Sequence, residues 1–224
     1  MNILLIAATE GEISPFLQQL QQNWQQQSPY SYSKGAISIK LCIGGVGLVA
    51  TTYNLAKELI ANTYDLAIQV GVGGSFDETI PLGELVFITS EQFGDLGAED
   101  HYSFLDIFEL GLLEKNSSPL NNGKLICPLQ PIHEKIGLKQ VSGLSVNSVS
   151  GNTYTIAQRK QKFNCQVESM EGAAFHYVCL KENVPFAQVR SISNYVEPRD
   201  KSKWQMKDAI INLNKWLIDF LASL

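Results

Sequence analysis

The chain has 224 residues, 45% of them hydrophobic, and a net charge of −5; that is enough for one substantial core and too little for two, so a single domain over 1–224 is expected. The acidic balance lacks a basic footprint and argues against nucleic acid or an anionic membrane surface as a partner. Four scattered cysteines without a C-x-x-C pair, and three scattered histidines, argue against zinc and against a disulfide framework, and no cofactor is implied.

Asn2 to Ala8 is a continuous apolar run of strand length, too short for a membrane span and without the positive flank of a signal peptide, which implies a cytoplasmic protein. Ile13, Phe16, Leu17 and Leu20 then recur at helical spacing until a Gln-rich stretch near Gln25. Ile37 to Ile43 alternates as a strand, and Gly44-Gly45-Val46-Gly47 opens a helix carrying Val49, Tyr53, Ala56 and Ile60. Leu66 to Val70 predicts a buried strand ending in Gly71-Val72-Gly73-Gly74, and Glu84 to Ser90 another after the turn Pro81-Leu82-Gly83. Periodicity is lost from Glu91 to Asn122, an excursion with room for one short helix and long enough to be functional or to cover an interface. Beyond it the pattern predicts strands over 140–147, 166–170 and 185–193, alternating with helices over 153–163, 171–181 and 204–221. Such alternation implies an α/β fold, a three-layer αβα sandwich with a largely parallel central sheet.

Residues able to carry chemistry cluster at the predicted strand ends, where open α/β sheets bind ligands. Glu12 follows the first strand, although Thr9-Glu10-Gly11-Glu12 is also a capping box, which explains the acid from this segment alone. The two glycine clusters serve equally as tight turns or as backbone cradles for a ligand. Glu168 and Glu171 flank Met170 before a helix rich in small residues; a carboxylate there is stabilised by the helix dipole, and it can equally grip vicinal hydroxyls with its two oxygens. Asn194 ends the last strand, where an Asx-turn is the ordinary explanation. Trp204 is either core or an aromatic wall over a ligand.

The order of Ile6-Ala7-Ala8-Thr9-Glu10-Gly11-Glu12, the two glycine clusters, Val167-Glu168-Ser169-Met170-Glu171-Gly172 and Val189-Arg190-Ser191-Ile192-Ser193-Asn194 resembles the purine nucleoside phosphorylase and nucleosidase superfamily. The likeness spans nearly the whole chain. It falls in the hydrolytic branch, that of the methylthioadenosine/S-adenosylhomocysteine nucleosidases and, closer still, the futalosine hydrolases of the alternative menaquinone pathway. The resemblance implies a phosphorylase/hydrolase-like fold with a mixed central sheet, a small-molecule nucleoside substrate and a homodimer or higher homo-oligomer, for which the Glu91 to Asn122 excursion is the expected contact. It also implies roles. Glu12 would activate water, Glu171 would accept the ribose hydroxyls, and Asn194 would face the five-membered ring of the purine. The implied substrate-binding set is Met170, Gly74, Val72, Gly151, Asn152, Ser193 and Trp204, with Trp204 near the 5′ substituent.

Adenine-cleaving members carry Asp where this chain has Asn194. A side-chain amide offers two N–H donors, which suit N7 and a 6-oxo group on one purine edge, so a hypoxanthine nucleoside is expected. Futalosine, which also bears a carboxyphenyl group at its 5′ end, is such a nucleoside; Trp204, Phe93 and His101 are the candidates to receive that group. Ser169 is an extra residue relative to the nucleosidase pattern, which leaves the role of Glu168 open, and Val72 stands where nucleosidases tend to hold a serine. The three arginines, Arg159, Arg190 and Arg199, all lie late in the chain. Phosphate binding usually draws on arginine forks from the early part, and Glu12 would repel phosphate, so hydrolysis is expected over phosphorolysis. The alternatives are a methylthioadenosine/S-adenosylhomocysteine nucleosidase, a 6-oxopurine nucleoside phosphorylase, and a non-catalytic nucleoside-binding protein on the same fold.

Overall fold

The computed structural model describes all 224 residues. β1 (Asn2–Ala7) buries Ile3 through Ala7 without alternation, as a strand covered on both faces must. Each such large aliphatic side chain contributes about 1.5–3 kcal/mol of burial. β1 lies between β4 (Ile37–Ile43) and β5 (Leu66–Ser75) and is parallel to both. β12 (Phe186–Tyr195) runs parallel to β5, and β6 (Leu85–Phe93) is antiparallel to β12. β10 (Lys139–Ser145) follows parallel to β6, then β11 (Val167–Ser169) parallel to β10; β11 also pairs antiparallel with β5. The strands β5, β12, β6, β10 and β11 therefore close a ring within a mixed sheet.

Helices α1 (Glu10–Asn23) and α5 (Met206–Ala222) pack together on one face, and α2 (Leu48–Ala61) and α4 (Gly172–Glu182) on the other. α3 (Thr153–Phe163) caps the β10 end, where Ile156 packs with Leu144 and Val146. The αβα sandwich stands, with a sheet that is mixed rather than largely parallel. No helix is long and apolar enough to cross a membrane.

Several local expectations are revised. The end of the Gln-rich stretch forms a hairpin, β2 (Gln25–Ser28) with β3 (Ser31–Lys34), added antiparallel to β4. In α2 it is Thr51, Leu55 and Leu59 that are buried, while Val49, Tyr53 and Ile60 face outward; Ala56 alone of the expected set packs on the core. The excursion from Glu91 holds the end of β6 and a hairpin of β7 (Gly97–Asp100) and β8 (Ser103–Asp106), with turns but no helix before β9 (Leu125–Ile126). Gly71 to Gly74 lie inside β5 rather than in a turn. The first glycine cluster does turn, with Gly45 and Gly47 at φ +81° and +88°, values that only glycine adopts freely.

Candidate active site

The ends of β1, β5, β11 and β12 meet around one cavity of about 490 Å³. Glu12, Glu171 and Asn194 line it together, as do Met170, Val72, Gly74, Ser193 and Trp204.

Thr9 leaves β1 extended and caps α1, so Glu12 falls at the third helical position. Its Oε2 accepts from the Thr9 backbone N–H at 3.0 Å, the return half of a capping box. Its Oε1 accepts from the Val72 N–H at 3.2 Å. The carboxylate thus caps with one oxygen and presents the other to the cavity wall, and the cap fixes the rotamer that does so.

Gly71 explains why β5 carries glycine here. A Cβ at Gly71 would stand 2.3 Å from Nη1 of Arg190 and 2.8 Å from Oε1 of Glu12. The bare backbone lets that guanidinium approach the acid. Arg190 is buried mid-strand in β12, donates from Nη2 to Gln69 Oε1 at 3.0 Å, and reaches Glu171 Oε2 at 3.5 Å. It stands between the two acids. The sequence reading gave it no role because it sits in an otherwise buried strand; an arginine in such a strand was itself the available signal, since a buried charge requires partners.

Glu171 is the N-cap of α4 and makes no capping bond of its own. Instead its Oε1 accepts from Gly47 N–H at 3.1 Å, joining the first glycine turn to the site. The carboxylate is buried at a helix N-terminus, with the Arg190 guanidinium beside it. Glu168 also borders the cavity, but both its oxygens are occupied. Oε1 accepts from Ser150 N–H at 2.8 Å, and Oε2 from Ser150 Oγ at 2.6 Å and Arg159 Nη1 at 3.0 Å. Glu168 therefore clasps the loop after β10 to β11 and has little left for a ligand.

Asn194 sits where β12 shifts register against β5, between Ile192 and Asn194. Ser193 Oγ donates to its Oδ1 at 2.9 Å, and its Nδ2 donates to Tyr195 O at 2.9 Å. The amide is orientated with one N–H already used, so it offers a ligand one free donor rather than two. The expected Asx-turn does not form: Oδ1 accepts from a side-chain hydroxyl rather than from a backbone N–H, and Asn194 lies within β12.

Trp204 follows a short 3-10 turn and precedes α5 rather than opening it. The Arg199 guanidinium lies 5.2 Å from its ring centroid, and Arg199 also lines the cavity. Gly151 and Asn152 do not. Gly151 accepts from Arg199 N–H at 3.2 Å, one step behind the wall, and Asn152 caps α3 by accepting from Thr155 N–H at 2.9 Å. Phe93 borders a separate small cavity and His101 is exposed beside Asp100, so neither reaches the site.

Behind α4, Glu91 is fully buried; Oε2 accepts from Ser145 Oγ and Oε1 from Gln188 Nε2, both at 2.9 Å. Ser145 Oγ in turn accepts from Ala173 N–H at 2.7 Å. A Cβ at Gly172 would meet Glu91 Oε1 at 1.9 Å, so the helix that carries Glu171 seats directly on this carboxyl. Burial pushes the Glu91 carboxyl up to about 7, against the Gln188 and Ser145 hydrogen bonds that lower it.

The sequence model of the phosphorylase superfamily matches residues 2–222. The chain belongs to the phosphorylase superfamily. Futalosine hydrolase of Thermus thermophilus is 30% identical over 181 residues, 80% of this chain and 79% of that protein. The 5′-methylthioadenosine/S-adenosylhomocysteine nucleosidase of Maridesulfovibrio salexigens is 28% identical over the full length of both. In structure, the native futalosine hydrolase of Helicobacter pylori superposes with a TM-score of 0.80 at 16% identity, covering 100% of this chain and 98% of that one. This member of the phosphorylase superfamily therefore stands in the nucleosidase branch that these relatives share.

Proposed function

We propose that the chain, one catalytic domain over 1–224, is a futalosine hydrolase. It cleaves the N-glycosidic bond of futalosine and releases hypoxanthine, a step of menaquinone synthesis. Asn194 carries this assignment. At the base end of the cavity the chain presents a neutral amide with one free N–H, which can stabilise negative charge on N7 of a departing purine but has no acidic proton to transfer. A 6-oxopurine anion spreads its charge into the carbonyl and leaves with less need of protonation than adenine does. The amide suits the better leaving group.

The glycosidic bond breaks first, through an oxocarbenium-like state that Glu171 and Glu12 favour by their charge. Glu171 accepts the ribose hydroxyls with the lone pairs not taken by Gly47 and Arg190. Glu12, locked by Thr9, takes the proton of the attacking water through Oε1. A positioned general base contributes roughly 10² to 10⁴ in rate. Inorganic phosphate would need its own cation at this end, and Arg190 is already engaged with Gln69 and Glu171.

We also propose a homodimer. Val46 lines the cavity and is exposed, and Val49, Tyr53 and Ile60 continue an apolar row from it along α2. A second copy seated on that row would cover the cavity mouth and supply wall to the 5′ end.

The deciding assay measures base release from futalosine, inosine and methylthioadenosine, with and without phosphate. Hypoxanthine release from futalosine, independent of phosphate, is the expected result. Faster adenine release from methylthioadenosine, or an absolute need for phosphate, gives the function to one of the two rival enzymes. Glu12→Gln should lower turnover by about 10² or more while leaving futalosine affinity within a few-fold.

A further inference from the structure

Two of the chain's three arginines are committed to protein partners. Arg159 donates to Ser148 O, Ser150 Oγ and Glu168, and Arg190 to Gln69 and Glu171. Arg199 is different: its guanidinium makes no ion pair or hydrogen bond and rests over Trp204, 5.2 Å from the ring centroid. Its backbone is fixed by the N–H bond to Gly151 O at 3.2 Å. The neighbouring cation Lys203 is taken by Glu197 at 3.0 Å.

The other charged groups on the cavity wall, Glu12, Glu168 and Glu171, are all acids. An anionic substrate entering such a cavity is repelled unless a cation meets its charge, and Arg199 is the cation placed to do so. A guanidinium is permanently charged and forms two parallel N–H···O bonds with a carboxylate, a match a point charge cannot give. Trp204, Met206 and Ile210 make an apolar wall beside it that suits a flat ring. That wall runs into α5, which packs on both α1 and β12, and it is tied to the end of β12 by Gln205 N–H donating to Ser193 O at 2.8 Å.

We infer that Arg199, stacked on Trp204, is the specificity-determining residue that receives an aryl carboxylate carried by the substrate. The inference deepens the futalosine assignment and rests on it.

Wild type and Arg199→Gln are compared on futalosine and on inosine, which keeps the base and ribose but lacks the carboxylate. The KM for futalosine should rise about tenfold or more with kcat changed by less than about threefold, and kcat/KM for inosine should fall far less. Arg199→Lys should recover part of the loss, since it keeps the charge without the fork. Equal losses on both substrates would put Arg199 at the base or ribose and overturn the inference; so would an unchanged KM for futalosine. If the wild type does not cleave futalosine, the assigned function fails by itself. Arg199 is then judged by calorimetry of futalosine and inosine on Glu12→Gln with and without Arg199→Gln. A selective loss of futalosine affinity on removing the arginine sustains the inference, and an equal loss, no loss, or no futalosine binding at the start overturns it.

Discussion

At the scale of single residues, Asn194 makes the sharpest demand. Asn194→Asp exchanges a permanent N–H donor for a group that is an acceptor when ionised and can pass a proton when protonated. On the proposed assignment it should lower kcat/KM for hypoxanthine release from futalosine by about tenfold or more, because a carboxylate facing N7 repels the departing anion. Adenine release from methylthioadenosine should rise relative to it. The measured quantity is the ratio of the two kcat/KM values, and a ratio that does not move takes base selection away from Asn194. Two residues show how far the sequence could be read at this scale. Glu12 had two competing explanations, cap and catalytic base; Oε2 makes the cap, and Oε1, held by Val72 N–H at the cavity wall, is the oxygen left for the proposed base. Arg190 was overlooked because strand periodicity reports which way a side chain points and not what it meets; only the closed ring of strands places it between Glu12 and Glu171.

At the scale of elements, α4 owes its seat to a carboxyl that belongs to β6. Glu91 keeps its proton in the folded protein up to about 7, whereas in the unfolded chain it ionises near 4.5. The folded state therefore binds the extra proton between those values, and this contribution to stability is complete below about 4.5 and is lost as pH rises through about 7. His176, also buried, has the opposite sense: burial drives its pKa down to about 3, so it favours the fold above its ordinary 6.5 and penalises it as pH falls. Glu91→Gln removes the first effect and leaves the second. Between pH 5 and 8 the wild type should lose several degrees of Tm more than the variant does, measured by scanning fluorimetry at matched salt. Superimposable pH profiles would show that Glu91 does not titrate in this range. Most elements were legible beforehand, with α3 bounded as the 153–163 pattern predicts and the buried face of α1 formed by Ile13, Phe16, Leu17 and Leu20. The β2–β3 hairpin was not, because the exposed glutamines of β2 carry no apolar alternation to read. In α2 two rows recur four residues apart, Thr51-Leu55-Leu59 and Val49-Tyr53, and spacing alone cannot say which row meets the core.

At the scale of the whole molecule, that reversal in α2 leaves an apolar row on the surface. Val49 is 82% exposed, Tyr53 65% and Ile60 75%, whereas the opposite row of the same helix is buried. Scattered exposed apolar residues need no explanation, but a row along one helix that begins at the cavity wall is what a contact surface presents. A two-fold pairing through α2 would set the same face of each copy against the other and bring each copy's α2 to the mouth of its neighbour's cavity. Tyr53→Glu puts a charge at the centre of the row without touching the core, so each protomer should keep its fold. The wild type should sediment as a dimer and the variant as a monomer at micromolar concentration. If the second copy completes the 5′ wall, the variant should also lose about tenfold or more in kcat/KM on futalosine and much less on inosine, whose 5′ end is a bare hydroxymethyl group. A monomeric wild type would remove the proposed interface, and a dimeric variant of unaltered activity would move it off α2, leaving the Glu91 to Asn122 excursion as the surface to test.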